Sequence, residues 1–266
     1  MPEGHTVHRT ANQFNQLFGG RPLTVSSPQG RFSESASLVS GRRLVAAKAI
    51  GKQMFLLFDN DLTIRIHLGI YGKWGYHKLD GLEVPEPVGQ VRARFSNETA
   101  AADLRGPTVC EVISPDEVRS VEQRLGPDPL NPNPANVEAQ RFIDRVLRSR
   151  TAIGLQLMNQ DVIAGIGNVY RAELLFRAGL NPHTPGNLLT SEQLQAIWDD
   201  SVKLLKVGVA TGFMITRDDL FKKRPKKADR NFVYKREGLA CRECGVNIII
   251  ELMAARKLYW CPGCQK

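Results

Sequence analysis

The stretch Leu157-Met158-Asn159-Gln160-Asp161-Val162-Ile163-Ala164-Gly165-Ile166-Gly167-Asn168-Val169-Tyr170-Arg171-Ala172-Glu173-Leu174-Leu175-Phe176 organises the middle of the chain. Gly165 and Gly167 permit a tight turn between two helices, and Asn168 stands where it can cap the second. Free backbone N–H groups at such a helix start suit a phosphate oxygen. The third glycine of the dinucleotide fingerprint is missing, so a bare Gly-x-Gly-Asn reads as ordinary helix-turn chemistry and the length of the motif carries its weight. Around it the apolar period is helical: Phe142, Ile143, Val146 and Leu147; Ile153, Leu155, Leu157 and Met158; Val169, Leu175 and Phe176. A last helix starts at a capping box, Thr190-x-x-Gln193, and carries Leu194, Ile197, Trp198, Val202 and Leu205.

Toward the N-terminus this helical region ends at Leu125 to Pro134, where four prolines in ten residues leave no regular element intact. A domain boundary is expected there. Before it the pattern is one of short β-rich runs, Leu23 to Ser26, Leu44 to Ile50, Met54 to Phe58, Leu62 to Leu68, Val91 to Phe95 and Val109 to Ile113, divided by turn clusters such as Asp59-Asn60-Asp61. Strands at this spacing suggest a sandwich or barrel. Val7, Ala11, Phe14, Leu17 and Phe18 recur at helical spacing, so an amphipathic helix begins directly after Gly4.

Toward the C-terminus a basic stretch, Lys222 to Arg230, leads into Cys241-x-x-Cys244 and, after sixteen residues, Cys261-x-x-Cys264. That spacing is the zinc-ribbon spacing, and two such turns complete a closed tetrahedral site of four thiolates that holds structure and does no chemistry. Two disulfides are the alternative, disfavoured by the lack of a secretory signal at the start of the chain. Cys110 stands alone and reads as a small buried hydrophobe. From Phe221 to Lys266 there are twelve basic and four acidic residues, nearly the whole of the +9 net charge of the 266-residue chain. A block of this kind is an electrostatic footprint for a polyanion, or a solvated linker. With 42% hydrophobic and 24% charged residues the composition is globular, and no apolar run approaches the roughly 18 residues of a membrane span.

Pro2 is the most telling single position. Removal of Met1 before a small residue would leave a proline whose nitrogen is a secondary amine, partly unprotonated at neutral pH and able to attack an electrophilic carbon. Many proteins begin Met-Pro, so the signal needs company. Glu3, an adjacent carboxylate, the cysteine pairs and the Gly-x-Gly-Asn motif supply it.

In this order the features resemble the formamidopyrimidine-DNA glycosylase and endonuclease VIII family of base-excision repair enzymes. The match is carried by Met1-Pro2-Glu3-Gly4, Gly51-Lys52, His67-Leu68-Gly69-Ile70-Tyr71-Gly72-Lys73-Trp74, the Gln160 to Phe176 motif, and Phe232-Val233-Tyr234 through Cys264-Gln265. The resemblance implies an α+β chain with an N-terminal β-sandwich (1–130), a helix-two-turn-helix domain (131–221) and a C-terminal four-cysteine zinc finger (222–266). It implies a bifunctional DNA glycosylase and β,δ-lyase that binds damaged DNA as a monomer in the bacterial cytoplasm, with structural zinc on Cys241, Cys244, Cys261 and Cys264. Pro2 would form a Schiff base with C1′, Glu3 would move protons at the sugar, and Lys52 would contact phosphate and assist. His67, Asn168 and Arg256 fall at phosphate-contacting positions, Arg256 at the tip of the finger hairpin. Ile70 and Tyr71 fall on the loop that fills the gap left by an extruded nucleotide.

Departures from the family pattern refine the expectation. Thr6 replaces an acid. Leu104-Arg105-Gly106-Pro107 stands where the guanine-repair branch has void-filling groups, and Gly154 replaces its lysine. All three point to the endonuclease VIII side, whose substrates are oxidised pyrimidines. Gly69 cannot fill space, which suggests a preference for single-stranded or bubble DNA over intact duplex. An abasic-site lyase with little glycosylase activity, and a non-catalytic DNA-binding zinc protein, are the other readings of the same residues.

Overall fold

The structure is a computed structural model that describes residues 2–79 and 83–266. Met1, on which the expectation of a processed N-terminus falls, lies outside the described residues. Two compact units divide the chain between Arg124 and Leu125, at the head of the proline-rich stretch, and no helix among the described residues is long and apolar enough to cross a membrane.

The first unit opens with α1 (Gly4–Phe18), followed by β1 (Thr24–Ser26), α2 (Ser33–Ser37), β2 (Leu44–Ile50), β3 (Gln53–Phe58), β4 (Thr63–His67), β5 (Lys73–Lys78), β6 (Val91–Ser96), β7 (Ala100–Arg105), β8 (Val109–Ile113) and α3 (Pro115–Arg124). Its strands form two four-stranded antiparallel sheets, β1-β6-β7-β5 and β2-β3-β4-β8. This is the expected sandwich. The apolar stripe of α1, Val7, Ala11, Phe14 and Phe18, enters the same core as Leu44, Met54, Leu56, Ile64, Phe95 and Leu104, and Asn15 pins the helix to β2 by donating to and accepting from the Ala47 backbone. Burial of that stripe fixes the first turn of α1, and with it the chain start, on the body of the unit.

Two strands and a helix are not legible as runs. In β5, Lys-Trp-Gly-Tyr-His-Lys has a glycine and two lysines; in β7, Ala-Ala-Ala-Asp-Leu-Arg favours a helix by propensity. Tertiary context decides for both. The small alanines let β7 lie buried from Ala100 to Leu104 between β6 and β5. Its buried Asp103 takes two bonds from Arg94 at 2.6 and 2.9 Å, one from Arg105 at 2.9 Å, and one from His77 at 3.3 Å. Helix α3 does leave a signal: Ser114 and Glu117 exchange the reciprocal bonds of a capping box.

The second unit contains α4 (Val137–Leu147), α5 (Ile153–Gln156), α6 (Asn168–Arg177) and α7 (Ser191–Thr211), then the antiparallel hairpin of β9 (Ile249–Met253) and β10 (Arg256–Trp260). Phe142, Ile143, Ile166, Tyr170, Leu174, Trp198 and Leu205 form its core, and Thr190 and Gln193 make the capping box read from sequence. The helical period expected through Leu157 and Met158 shrinks to one turn, because the chain leaves α5 for a turn tied elsewhere. Gln160 organises that turn: its Nε2 donates to the carbonyls of Met158 and Ile166 and its Oε1 accepts from Gly165 N–H. The proline-rich stretch packs onto it through Gly126 N–H to Gln160 O and Ala164 N–H to Pro127 O.

Candidate active site and nucleic-acid interface

In the first unit Glu3 is the N-cap residue of α1 with extended backbone, and its carbonyl receives the N–H groups of Thr6 and Val7. Its side chain is fully buried, while Pro2 ahead of it is half-buried. The positive end of the helix dipole lies at this dipeptide and favours negative charge there. His5 follows, buried, its Nε2 3.2 Å from Thr6 Oγ1. Burial first, and nearby positive charge second, hold its imidazole down at about 4, so it is neutral at pH 7.

Lys52 occupies the two-residue turn between β2 and β3, where Gly51 takes a φ of +56° that suits glycine. The Lys52 carbonyl accepts a bond from Nδ1 of His67, the last residue of β4, at 3.0 Å. Two of the expected site residues are thereby brought together, and with Nδ1 donating inward the Nε2 edge of His67 is the one left for a partner. The next loop presents Ile70, 62% exposed, and Tyr71, 84% exposed. Gly69 in this loop has φ +63°, and a Cβ on it would lie 1.9 Å from Thr108 Oγ1. Thr108 thus fills the place where a residue-69 side chain would be, which is a packing reason for glycine in the loop.

In the second unit Asn168 is not a cap. Gly167 takes the N-cap position and Asn168 is the first helical residue, with no capping bond. Its carboxamide instead donates to the Lys257 carbonyl of β10 at 2.8 Å and accepts from Arg171 at 2.5 Å. Arg171, fully buried, also donates to the Lys257 carbonyl at 3.2 Å. Arg256 follows the Ala254-Ala255 turn, both alanines with positive φ, and is exposed. A residue-by-residue reading of motif positions names Asn168 but misses Arg171 and Glu173, the buried charges behind it. Their signal is charge on a helix whose core-facing residues surround them on every side.

The thiols of Cys241, Cys244, Cys261 and Cys264 lie within 4.8 Å of one another, with Cys241–Cys264 at 3.8 Å and Cys244–Cys261 at 3.4 Å. A disulfide would need about 2.05 Å. Tetrahedral ligation with metal–sulfur bonds of about 2.3 Å sets sulfurs about 3.8 Å apart, so the cluster fits a metal ion. The turns are shaped for it: Gly245 has φ +77°, and a Cβ on Gly263 would come within 2.8 Å of Cys244 Sγ.

Residues 1–110 match the formamidopyrimidine-DNA glycosylase N-terminal domain and residues 125–219 the formamidopyrimidine-DNA glycosylase H2TH domain. The chain belongs to that family. It is 44% identical over the whole of both chains to endonuclease 8 1 of Mycobacterium tuberculosis (strain ATCC 25618 / H37Rv), and 30% identical, again over the whole of both, to endonuclease 8 of Escherichia coli K12. A solved formamidopyrimidine-DNA glycosylase of Lactococcus lactis, non-covalently bound to DNA containing an AP site, shares the fold with a TM-score of 0.81 at 21% identity over 99% of each chain. The same glycosylase with N7-benzyl-Fapy-dG DNA gives 0.82 over all of both chains. As a formamidopyrimidine-DNA glycosylase family member the chain is an enzyme of the DNA glycosylase and AP lyase class, acting in DNA repair. Within the family frame the Gly154 departure also has a structural reason. A Cβ there would meet Met253 Sδ and Pro182 O at 2.9 Å each, so a long side chain has no room without a shift of backbone.

Proposed function

We propose that the chain excises oxidised bases, chiefly pyrimidines, and cleaves the DNA strand through a Schiff base on Pro2. The carrying observation is the anchoring of Pro2-Glu3 at the start of α1, whose apolar stripe lies in the sandwich core. With Met1 removed, the Pro2 nitrogen is a secondary amine of ordinary pKa about 8. Its lone pair attacks C1′ and the bond from C1′ to the damaged base breaks, the base leaving with the electron pair and a proton. Opening of the C1′–O4′ bond gives the iminium, and Glu3 supplies the proton that O4′ takes up. Loss of a C2′ proton then expels the 3′ phosphate, a second elimination expels the 5′ phosphate, and water hydrolyses the iminium to restore the amine.

Lys52, His67, Asn168 and Arg256 serve as phosphate contacts, and Ile70 and Tyr71 as the wedge beside the extruded nucleotide. Zinc on the four thiols keeps the β9–β10 hairpin in shape, and the chain works on DNA in the cytoplasm. Its 44% and 30% identity to proteins named endonuclease 8 supports the pyrimidine side of the family. The space taken by Thr108 at Gly69 supports open DNA as the better substrate, since the loop offers fewer groups to replace a lost base pair.

Borohydride trapping on oligonucleotides carrying thymine glycol or an abasic site tests the reaction. A covalent adduct on both is expected, and none where Met1 is retained. An adduct on the abasic site alone would leave a lyase; none on either, with Met1 absent, would leave a DNA-binding protein. Faster cleavage of a duplex lesion than of the same lesion in a single strand, at matched salt, would overturn the preference for open DNA.

A further inference from the structure

In the second unit a cavity of about 550 Å³ lies where the last turn of α6 meets α7 and the cysteine region, and its apolar lining includes Leu174, Phe176, Ile197 and Phe232. Its size falls in the range of about 300–1,000 Å³ usual for small-molecule sites. The ionisable side chains on its walls are Arg177, Asp200, Glu243 and Cys264. Arg177 is engaged at every nitrogen: Nε and Nη2 donate to Asp200 at 2.5 and 2.8 Å, Nη1 donates to the Thr216 carbonyl at 2.7 Å, and Nη2 also meets Asp218 at 3.2 Å. The Glu243 carboxylate has no hydrogen bond or ion pair among the described residues.

We infer that this cavity binds a polyamine, a methylene chain with an ammonium group at each end, held along the apolar lining with its ends at Glu243 and Asp200. The chemistry of the walls selects it. Beyond the bonds already made, they offer chiefly acceptors, the Glu243 carboxylate, the remaining lone pairs of Asp200 and the Cys264 sulfur, so the occupant is a donor, and the charge they carry makes it a cation. Four thiolates around one divalent ion keep a net negative charge, so Cys264 adds to this field with the metal in place. The two carboxylates come from different elements, Asp200 from α7 and Glu243 from the first cysteine turn, and they share the cavity with Phe176, Phe232 and Ile197. A methylene chain covers such a lining while its charged ends stay with the carboxylates, and a single ammonium would leave one carboxylate unanswered. Asn168, proposed above as a phosphate contact, is the first residue of α6 and Arg177 the last, roughly 13 Å away along the helix axis. DNA at one end of the helix and a polyamine at the other therefore do not compete, and the inference does not depend on which DNA is the substrate.

The test is calorimetric titration of spermidine into the metal-loaded full chain, free of DNA and at low salt. Saturable binding is expected, weakened about fivefold by Glu243→Gln, which removes the charge and keeps the shape. Ala196→Leu, which enlarges a side chain on the cavity wall, is expected to weaken it at least as much. The melting midpoint of the wild type should rise with spermidine, and rise less in either variant. Unchanged affinity in Glu243→Gln would overturn the site. So would the same midpoint shift from magnesium chloride at equal ionic strength, which would mean charge screening over the whole surface. Nα-acetyl-lysine methylamide carries one ammonium on a similar chain, and binding as tight as that of spermidine would overturn the two-ended reading and give the cavity to a lysine side chain. Glu243 is exposed, so its variant remains informative if Ala196→Leu disturbs α7.

Discussion

The Glu173 carboxylate accepts the backbone N–H of Val233 at 2.9 Å, sixty residues later in the chain. The same carboxylate takes the N–H groups of Phe232 and Tyr234, each at 2.8 Å, and the hydroxyl of Thr216 at 2.5 Å. One buried side chain of α6 therefore satisfies three consecutive amides of the segment that enters the cysteine region. Phe176, one turn on, stacks on Phe232 with ring centroids 5.0 Å apart. Glu173→Ala would strand those amides in the interior, and a loss on the order of 3 kcal/mol or more is expected. Glu173→Gln keeps one acceptor oxygen and should lie between. Urea unfolding of the two variants checks this; an alanine variant as stable as wild type would show that the segment finds other partners.

Much of this is legible in the sequence, and the failures have physical causes. The apolar period of α1, the Thr190 capping box and each Cys-x-x-Cys turn are local signals that the structure repeats, because each is set by neighbouring residues, while the spacing of the two cysteine pairs is what announces their meeting across sixteen residues. Strand β7 is hidden because its identity comes from neighbours on both sides and from an ion cluster closed by Arg94, nine residues earlier in the chain. Asn168 looks like a cap because the cap preference is local, yet its real partner is the Lys257 carbonyl, 89 residues on. Buried charge inside helix α6 is visible but has no visible partner in the sequence, since Glu173 pairs with distant backbone and not with a cation.

Asp103 makes the sandwich sensitive to acid. Hydrogen bonds and charge from Arg94, with Arg105 and His77 behind it, outweigh the burial that opposes ionisation and hold its pKa below the ordinary value of a carboxyl group. A depressed carboxyl pKa stabilises the fold above the unfolded pKa of about 3.9, and that contribution disappears as pH falls through the lower folded value. Asp103→Asn should therefore lower stability at pH 7 and flatten the acid limb below about pH 4. Unfolding curves between about pH 2 and 7 decide it, and parallel acid limbs in the two proteins would count against the assignment.

His5 acts in a different window. Its imidazole is held at about 4 against an ordinary 6.5, so the unfolded chain binds the extra proton between those values. Stability from this group is complete above the unfolded pKa and is lost as pH falls from about 6.5 toward 4. His5→Asn should remove that slope while leaving the steeper loss below it. A slope left unchanged by the substitution between about pH 4 and 6.5 would mean that His5 binds protons alike in the folded and unfolded chains.

Metal removal should reach beyond the hairpin. Cys241 and Cys261 pack in one apolar cluster with Ala172 and Phe176 of α6, and Gln265 joins Cys261 N–H to the Leu180 carbonyl. Chelation is expected to expose the four thiols and to raise amide exchange in α6 as well as in β9 and β10, because the ion's binding energy is folding energy for all that rests on it. Exchange in α1 should stay unchanged. Freshly purified protein with no zinc and four reactive thiols would contradict the metal assignment altogether.

Arg256 and Asn168 offer a way to separate phosphate contact from positioning. Arg256 is exposed at the start of β10, and the next carbonyl, that of Lys257, is held by both Asn168 and Arg171. If Arg256 meets a phosphate, Arg256→Ala should weaken binding alike across sequences and reduce the slope of log affinity against log salt by about one. Asn168→Ala removes one of the two side-chain bonds to the Lys257 carbonyl, next to Arg256, so part of its effect should pass through that arginine. The double variant should then lose less than the two single losses together. Additive losses with an unchanged salt slope in Arg256→Ala would place the phosphate contact elsewhere and leave Asn168 acting on DNA by itself.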